Sequence, residues 1–298
     1  LKNIIVITGP TASGKTGLAI ALAKKWNAEI LSCDSRQVYS ELNIGVARPE
    51  PAELEAVKHH FIGHISIHES YSAGRFAREA RVFLEHYFQK KETILICGGT
   101  GLYLKALFEG LDKQQVDLKI RASLERELAE KGLENLVEEL KAYQTDSVQS
   151  IDLKNPRRVL RALEWIRQGK KELEPDPWPE NWKVTQYAID WPRPVLYQRT
   201  NQRVEEMIKN GLWEEATDCI TWKSLNALQT VGYQEIFDAI EGKMNRQEAI
   251  EKIKQHTRNF AKRQITWFKK IIDLVWIPAG TQAEMVEAVL RSQGNITG

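Results

Sequence analysis

Gly9, Pro10, Thr11, Ala12, Ser13, Gly14, Lys15 and Thr16 spell G-x-x-x-x-G-K-[ST]. The motif follows an apolar, β-branched run at 4–8 and precedes a helical pattern at 17–26, the context in which it binds phosphate. The glycines let the backbone wrap close to an anion, while successive N–H groups and a helix N-terminus supply partial positive charge. Lys15 adds a full charge, and Thr16 adds a hydroxyl able to ligate Mg²⁺. The motif does not say whose phosphate is held. Two more turns carry unusual residues. An apolar run at 29–33 ends in Asp34, followed by Ser35, Arg36, Gln37, Val38 and Tyr39. A third run, at 93–97, ends in Gly98-Gly99-Thr100-Gly101. A carboxylate and a hydroxyl beside a phosphate cradle can handle a nucleophile just outside the phosphate pocket. On the residues alone, Asp34 also reads as an outer Mg²⁺ ligand and Thr100 as a helix N-cap. Only 30–34 could serve as a Walker-B strand, and its polar tail is richer than a metal ligand needs.

Something must hold these turns together. Short buried strands alternating with helical patterns predict a parallel, doubly wound sheet, which binds ligands at the carboxyl ends of its strands. The turns after residues 8, 33 and 97 then share one edge. From 118 to 173 the pattern is helical throughout; Pro175, Pro177 and Pro179 with Trp178 break it. A strand is expected at 184–191, then helices at roughly 195–218, 230–241 and 246–272. The expected fold class is α/β: a P-loop-type parallel sheet core flanked by helices, with a helical insertion domain. Residues 1–117 and 183–298 form the expected core, 118–182 the insertion, and the proline-rich stretch its return hinge.

The 298 residues, 42% hydrophobic and 28% charged, suit a globular protein with ample core and exclude disordered and fibrous classes. No apolar run approaches the ~18 residues of a membrane span, and no leader precedes the first strand, so neither a membrane nor secretion is expected. The sequence starts at Leu1 and not at Met, so upstream residues are expected. Cys33, Cys97 and Cys219 are far apart, which fits a reduced, cytoplasmic protein. His59, His60, His64 and His68 cluster without the partners of a zinc site, and most of the nine tryptophans are expected in packing roles.

The net charge of +2 hides a pattern. Seven Lys/Arg against one acid, Glu164, fill 154–171, and seven more with no acid fill 252–270. Arg157 and Arg161 share one side of a helix whose apolar side is Leu160 and Leu163. Lys254, Arg258 and Lys262 repeat beside an apolar side of Ile253, Phe260 and Phe268. Such faces can follow a nucleic-acid backbone, or be solvated helix faces.

GPTASGKT at 9–16, DSRQVY at 34–39, GGTGLY at 98–103 and AKRQITW at 261–267 together resemble the tRNA dimethylallyltransferase (tRNA isopentenyltransferase) family. IGVARP at 44–49, YSAGRF at 71–76, NPRRVLRALE at 155–164 and VGY at 231–233 extend the likeness over nearly the whole chain. One departure is Val46-Ala47-Arg48, where the family more often has Thr-Ala-Lys.

The resemblance implies transfer of a dimethylallyl group from dimethylallyl diphosphate to N6 of the adenine 3′ to the anticodon of a tRNA. It implies residues 9–16 as the diphosphate site and catalytic roles for Asp34, Thr100, Lys15 and Arg203. It implies tRNA contacts at Asp34, Ser35, Arg36, Gln37, Thr100, Arg121, Gln229, Thr230, Val231, Gly232, Tyr233, Gln234, Lys262, Arg263 and Gln264, to which the basic face adds Arg157, Arg158 and Arg161. The physics agrees. A diphosphate leaving group suits the cradle, with Lys15 and Mg²⁺ at Thr16 neutralising charge as the C–O bond breaks, and Asp34 can accept the N6 proton. The target adenine must be extruded from its loop. A cytoplasmic monomer binding the anticodon stem-loop is expected. Three other readings stand beside it: a P-loop small-molecule kinase, prenyl transfer to free AMP, and an RNA-binding module without activity. The first two leave the basic insertion unexplained, and the third leaves Asp34 and Thr100 without a purpose.

Overall fold

The computed structural model describes residues 1–110, 117–143, 151–169 and 178–296. Its strands are β1 (Lys2–Thr8), β2 (Glu29–Ser32), β3 (His59–His60), β4 (Thr93–Cys97), β5 (Trp182–Asp190) and β6 (Leu274–Pro278). They form one parallel sheet in the order β3-β2-β4-β1-β5-β6. β1 is central, with Ile4 opposite both Ile94 and Val184.

Strand alternation sorts the core into two layers. Ile4, Val6, Leu31, Ile94 and Ile96 pack to one face with Phe76, Leu84 and Tyr103. Ile5, Ile7, Ile30, Leu95, Tyr187 and Ile189 pack to the other with Leu18, Leu22 and Val289. The helices that cover these faces are α1 (Lys15–Trp26), α2 (Pro51–Ala56), α3 (Ala73–Tyr87) and α4 (Gly101–Phe108), then α7 (Arg193–Lys209), α8 (Leu212–Asp218), α9 (Tyr233–Ile240), α10 (Arg246–Phe268) and α11 (Gln282–Ile296). Their starts are chemically marked. Ser72 accepts from the Arg75 N–H at 3.1 Å to cap α3, and Asn245 with Glu248 forms a capping box on α10. α1 differs: its N-cap is Gly14 at φ +89°, and no side chain caps the helix. Its first N–H groups are left for a ligand.

The chain divides into two units, Leu1–Leu111 with Pro177–Gly298, and Asp112–Asp176. The second contains α5 (Leu118–Ala142) and α6 (Pro156–Arg167), packed through Leu124, Leu136, Leu140, Val159, Leu160 and Leu163. The residues at which the chain passes from one unit to the other lie six residues before the expected boundaries at 118 and 182. Helix is not continuous over 118–173: Gly132 at φ +78° kinks α5. Residues 144–150 and 170–177 are outside the described residues, and so are Lys170, Lys171, Pro175 and Pro177. The expected helix at 195–218 is broken by Gly211 at φ +104° into α7 and α8. The strand expected at 184–191 runs from Trp182 to Asp190. Among the described residues no helix is long and apolar enough to cross a membrane.

Candidate active site

The turns after β1, β2 and β4 meet at the carboxyl edge of the sheet. Thr8 Oγ1 donates to the Gly98 carbonyl at 2.9 Å, Cys33 N to Cys97 O at 2.8 Å and Thr100 N to Cys33 O at 3.4 Å. Gly98 must be glycine here, because a Cβ would come within 2.1 Å of the Cys33 carbonyl oxygen.

The 9–16 loop is held open from behind. The Ala12 carbonyl accepts from Arg199 Nε at 2.8 Å and the Ser13 carbonyl from Trp191 Nε1 at 2.9 Å, with the Arg199 guanidinium 4.4 Å above the Trp191 ring. Gln264 braces the front: its Oε1 accepts Thr11 N–H at 2.8 Å and its Nε2 donates to Gly99 O at 2.9 Å. Ser13 Oγ is buried without a partner among the described residues. Lys15 Nζ donates to Pro10 O at 3.2 Å.

Two cations dominate the recess. Burial lowers the Lys15 pKa, and nearby Arg203 lowers it further, against the pull of Cys97 and Asp34. Burial also lowers Arg203, while Asp34 favours its charge. Neither forms an ion pair with a carboxylate among the described residues, and Arg203 makes no hydrogen bond there. Two half-buried like charges with no ion-pair partner among the described residues favour an anion in the recess.

Asp34 stands across from them. Its Oδ1 accepts the N–H groups of Arg36 at 2.9 Å and Gln37 at 3.4 Å, which fixes the carboxylate and leaves Oδ2 without a hydrogen bond among the described residues. Thr100 Oγ1 accepts the Ser35 N–H at 3.0 Å, so Thr100 joins two turns instead of capping α4 with its side chain. Arg36 is drawn to carbonyls at the 226–229 turn, at 2.6 Å to Asn226 and 3.3 Å to Gln229.

A further wall is set by Glu215, which the sequence reading does not single out. Its carboxylate accepts the N–H groups of Asn43, Ile44 and Gly45 at 3.0, 2.8 and 2.9 Å, and the Tyr233 hydroxyl at 2.5 Å. Gly45 lies flat on the Tyr233 ring, where a Cβ would clash at 2.5 Å.

Together these elements enclose a cavity of about 1130 Å³. It is lined by Thr11, Ala12, Gly14, Lys15 and Thr16 of the loop, by Asp34, Ser35, Arg36, Gln37 and Thr100 of the turns, and by Arg203. Gln229, Thr230, Val231, Gly232, Gln234, Arg263 and Gln264 line it too, and so do the carboxylates Glu50, Glu53 and Glu206. Gly9, Pro10 and Ser13 lie buried behind this lining.

The residues expected at the tRNA have different surroundings in the fold. Tyr233 is fully buried and its hydroxyl is spent on Glu215, so it supports the wall. Gln264 is 7% exposed with both ends of its amide used inside the protein. Phe260 is 41% exposed and not part of the apolar side of α10. Lys254 pairs with Glu205 and Glu251, and Arg258 donates to Asn201, whereas Lys262 and Arg263 are exposed. Within the second unit, Arg121 and Arg161 converge on Glu164, which is fully buried, at 3.7 and 3.1 Å, while Arg157 and Arg158 are exposed. They are therefore not equivalent free cations.

The histidines disperse: His59 contacts the Val57 carbonyl and His60 the Glu29 carboxylate. Trp26, Trp178, Trp191, Trp213 and Trp276 pack against the core and Trp182 lies in it, while Trp222 and Trp267 are 42% and 38% exposed. Arg199 and Trp191 are also unforeseen, although Arg199 stands four residues before Arg203 on one helix face, a signal the sequence does carry.

The family model described as IPP transferase matches residues 37–271. A tRNA dimethylallyltransferase of Cytophaga hutchinsonii is 44% identical over 97% of this chain and 98% of its own. One from Chlorobium chlorochromatii is 42% identical over 95% and 96%. Among solved structures, a tRNA delta(2)-isopentenylpyrophosphate transferase from Staphylococcus epidermidis superposes with a TM-score of 0.73 at 32% identity, covering 100% of both chains. A eukaryotic dimethylallyltransferase acting on tRNA gives 0.77 at 26% identity, over 98% of this chain and 78% of that one.

Proposed function

The chain belongs to the IPP transferase family of tRNA dimethylallyltransferases, and on that premise we propose how its cavity moves a dimethylallyl group from the diphosphate to adenine N6 at the position 3′ to a tRNA anticodon. The observation that carries the reading is the pair Lys15 and Arg203, two half-buried cations with no ion-pair carboxylate among the described residues, lining one cavity with Asp34.

The donor's diphosphate rests on the N–H groups of the 9–16 loop and the start of α1, between Lys15 and Arg203. As the C1–O bond breaks, the electron pair stays on diphosphate, and the cations are already in place for the charge that develops. N6 of an extruded adenine bonds to C1 and loses its proton to the free oxygen of Asp34. The two backbone N–H groups on Oδ1 hold that carboxylate still, and Thr100 keeps the turns after β2 and β4 in register.

Thr16 fits a Mg²⁺ ligand. Its hydroxyl lines the cavity and makes no hydrogen bond among the described residues, and no three His, Cys, Asp or Glu side chains there converge on a protein-only metal site. Mg²⁺ typically takes one or two protein ligands with phosphate and water, and when bound here it would add charge neutralisation at the diphosphate. We assign phosphate contacts of the tRNA to Arg157, Arg158, Lys262 and Arg263, which are exposed. Three free cysteines, two of them buried, support a reduced cytoplasmic setting, and a monomer is the simplest assembly.

The test is equilibrium binding of inorganic diphosphate and dimethylallyl diphosphate. Lys15→Ala and Arg203→Ala should each weaken both ligands tenfold or more, by loss of a charge-assisted contact of about 1.5–3 kcal/mol. Unchanged affinity would remove the cations from the donor site.

A further inference from the structure

α10 carries a stripe whose aromatic rings the reaction above leaves unused. His256, Phe260, Arg263 and Trp267 follow one another at three- and four-residue steps and share one side of the helix. Phe260 is 41% and Trp267 38% exposed, in a fold that buries Tyr233 and Phe268 completely. Both rings are held. The Trp267 indole covers Gly101, where a Cβ would come within 2.1 Å of Nε1, so the ring stands beside Thr100 at the start of α4. The Arg263 guanidinium lies 5.8 Å from the Phe260 ring centre, and both residues line the cavity. A helical rise of ~1.5 Å per residue sets the two aromatics about 10 Å apart along the axis. Arg263 and Gln264 lie between them, and Gln264 is fastened to the cavity at Thr11 and Gly99.

We propose that Phe260 and Trp267 form a stacking platform for the two loop nucleotides that flank the extruded adenine, with Arg263 on the phosphate between them. The proposal rests on the prenyl-transfer reading and names how that site takes its RNA. Extruding one base strips a stacking face from each neighbour, and two rings on one helix, Phe260 in the cavity lining and Trp267 on Gly101 next to Thr100, can restore both. The charge favours RNA over an apolar protein partner: residues 252–270 contain no acid. Lys254 and Arg258 are used elsewhere in the fold, whereas Lys262 and Arg263, close in sequence to Phe260, are exposed.

The experiment uses the full chain and an anticodon stem-loop RNA with 2-aminopurine at either position next to the target adenine. Wild-type protein should quench the probe at both positions. Phe260→Ala and Trp267→Ala should each relieve the quench at one position, weaken RNA binding by roughly 5- to 150-fold, and raise the KM for tRNA far more than they lower kcat. Phe260→Tyr and Trp267→Phe should restore both readouts. The salt dependence of binding should keep its slope in the aromatic variants and flatten by about 0.7 in Arg263→Ala. An unchanged quench in both alanine variants, or a Trp267→Phe as damaged as Trp267→Ala, would overturn the platform and return the rings to packing on Gly101. If the stem-loop binds and is modified normally by both alanine variants, the platform falls while prenyl transfer stands. If wild-type protein does not bind the stem-loop, both fall.

Discussion

Asp34 concentrates the chemistry at the scale of single residues. One carboxylate oxygen is committed to two backbone N–H groups and the other has no hydrogen bond among the described residues, which separates a positioning duty from a proton-accepting one within one side chain. Asp34→Asn preserves the size and an oxygen for those N–H groups but cannot take up a proton. The single-turnover rate should fall roughly 10²–10⁴-fold while donor and tRNA affinities stay close to wild type. A near-normal rate in rapid-quench measurements would show that orientation alone suffices. The sequence displays Asp34, Thr100, Lys15 and Arg203 because each stands in a motif or a resemblance. It does not display Glu215, whose partners Asn43, Ile44 and Gly45 come from a loop about 170 residues earlier in the chain. Nor does it reveal that Gln264 points inward, because "Lys-Arg-Gln" on a basic helix reads as one surface until the helix is docked.

Elements were legible where a period is sustained or a turn is chemically marked. β1, β4 and α1 stand close to their expected positions, since β-branched runs and the glycine loop bound them. β3 has two residues, and β6 is a short apolar strand on the sheet edge; runs of that length carry no period to read. The helical pair α5 and α6 shows a different limit. Composition announces charge there, but which charges cancel depends on packing. Arg167 spans Glu127 and Glu139 with four hydrogen bonds of 2.6 to 2.9 Å. Those bonds hold the Glu127 carboxyl down at about 2, against an ordinary 4.5. Because its folded pKa is the lower one, this pairing stabilises fully above the unfolded value and is lost as pH falls from about 4.5 through about 2. Arg167→Gln should therefore unfold at a lower temperature at neutral pH, with the gap from wild type closing over that acid window. Circular dichroism melts from pH 7 to 2 read this directly, and a gap that does not depend on pH would point to lost packing instead.

For the whole molecule, the central claim is that a fold with a phosphate loop spends it on a leaving group, not on a nucleotide. The doubly wound sheet brings the loop, Asp34 and Thr100 to one edge, and α7 delivers Arg203 to the same cavity. The most direct measurement is incubation of the protein with unmodified tRNA, dimethylallyl diphosphate and Mg²⁺, without ATP, followed by mass analysis of the nucleosides. The account predicts one dimethylallyl group in exchange for one hydrogen on a single adenosine 3′ to the anticodon, with an equal amount of diphosphate released. Unmodified tRNA from that mixture, together with brisk turnover of ATP on a small metabolite, would contradict it.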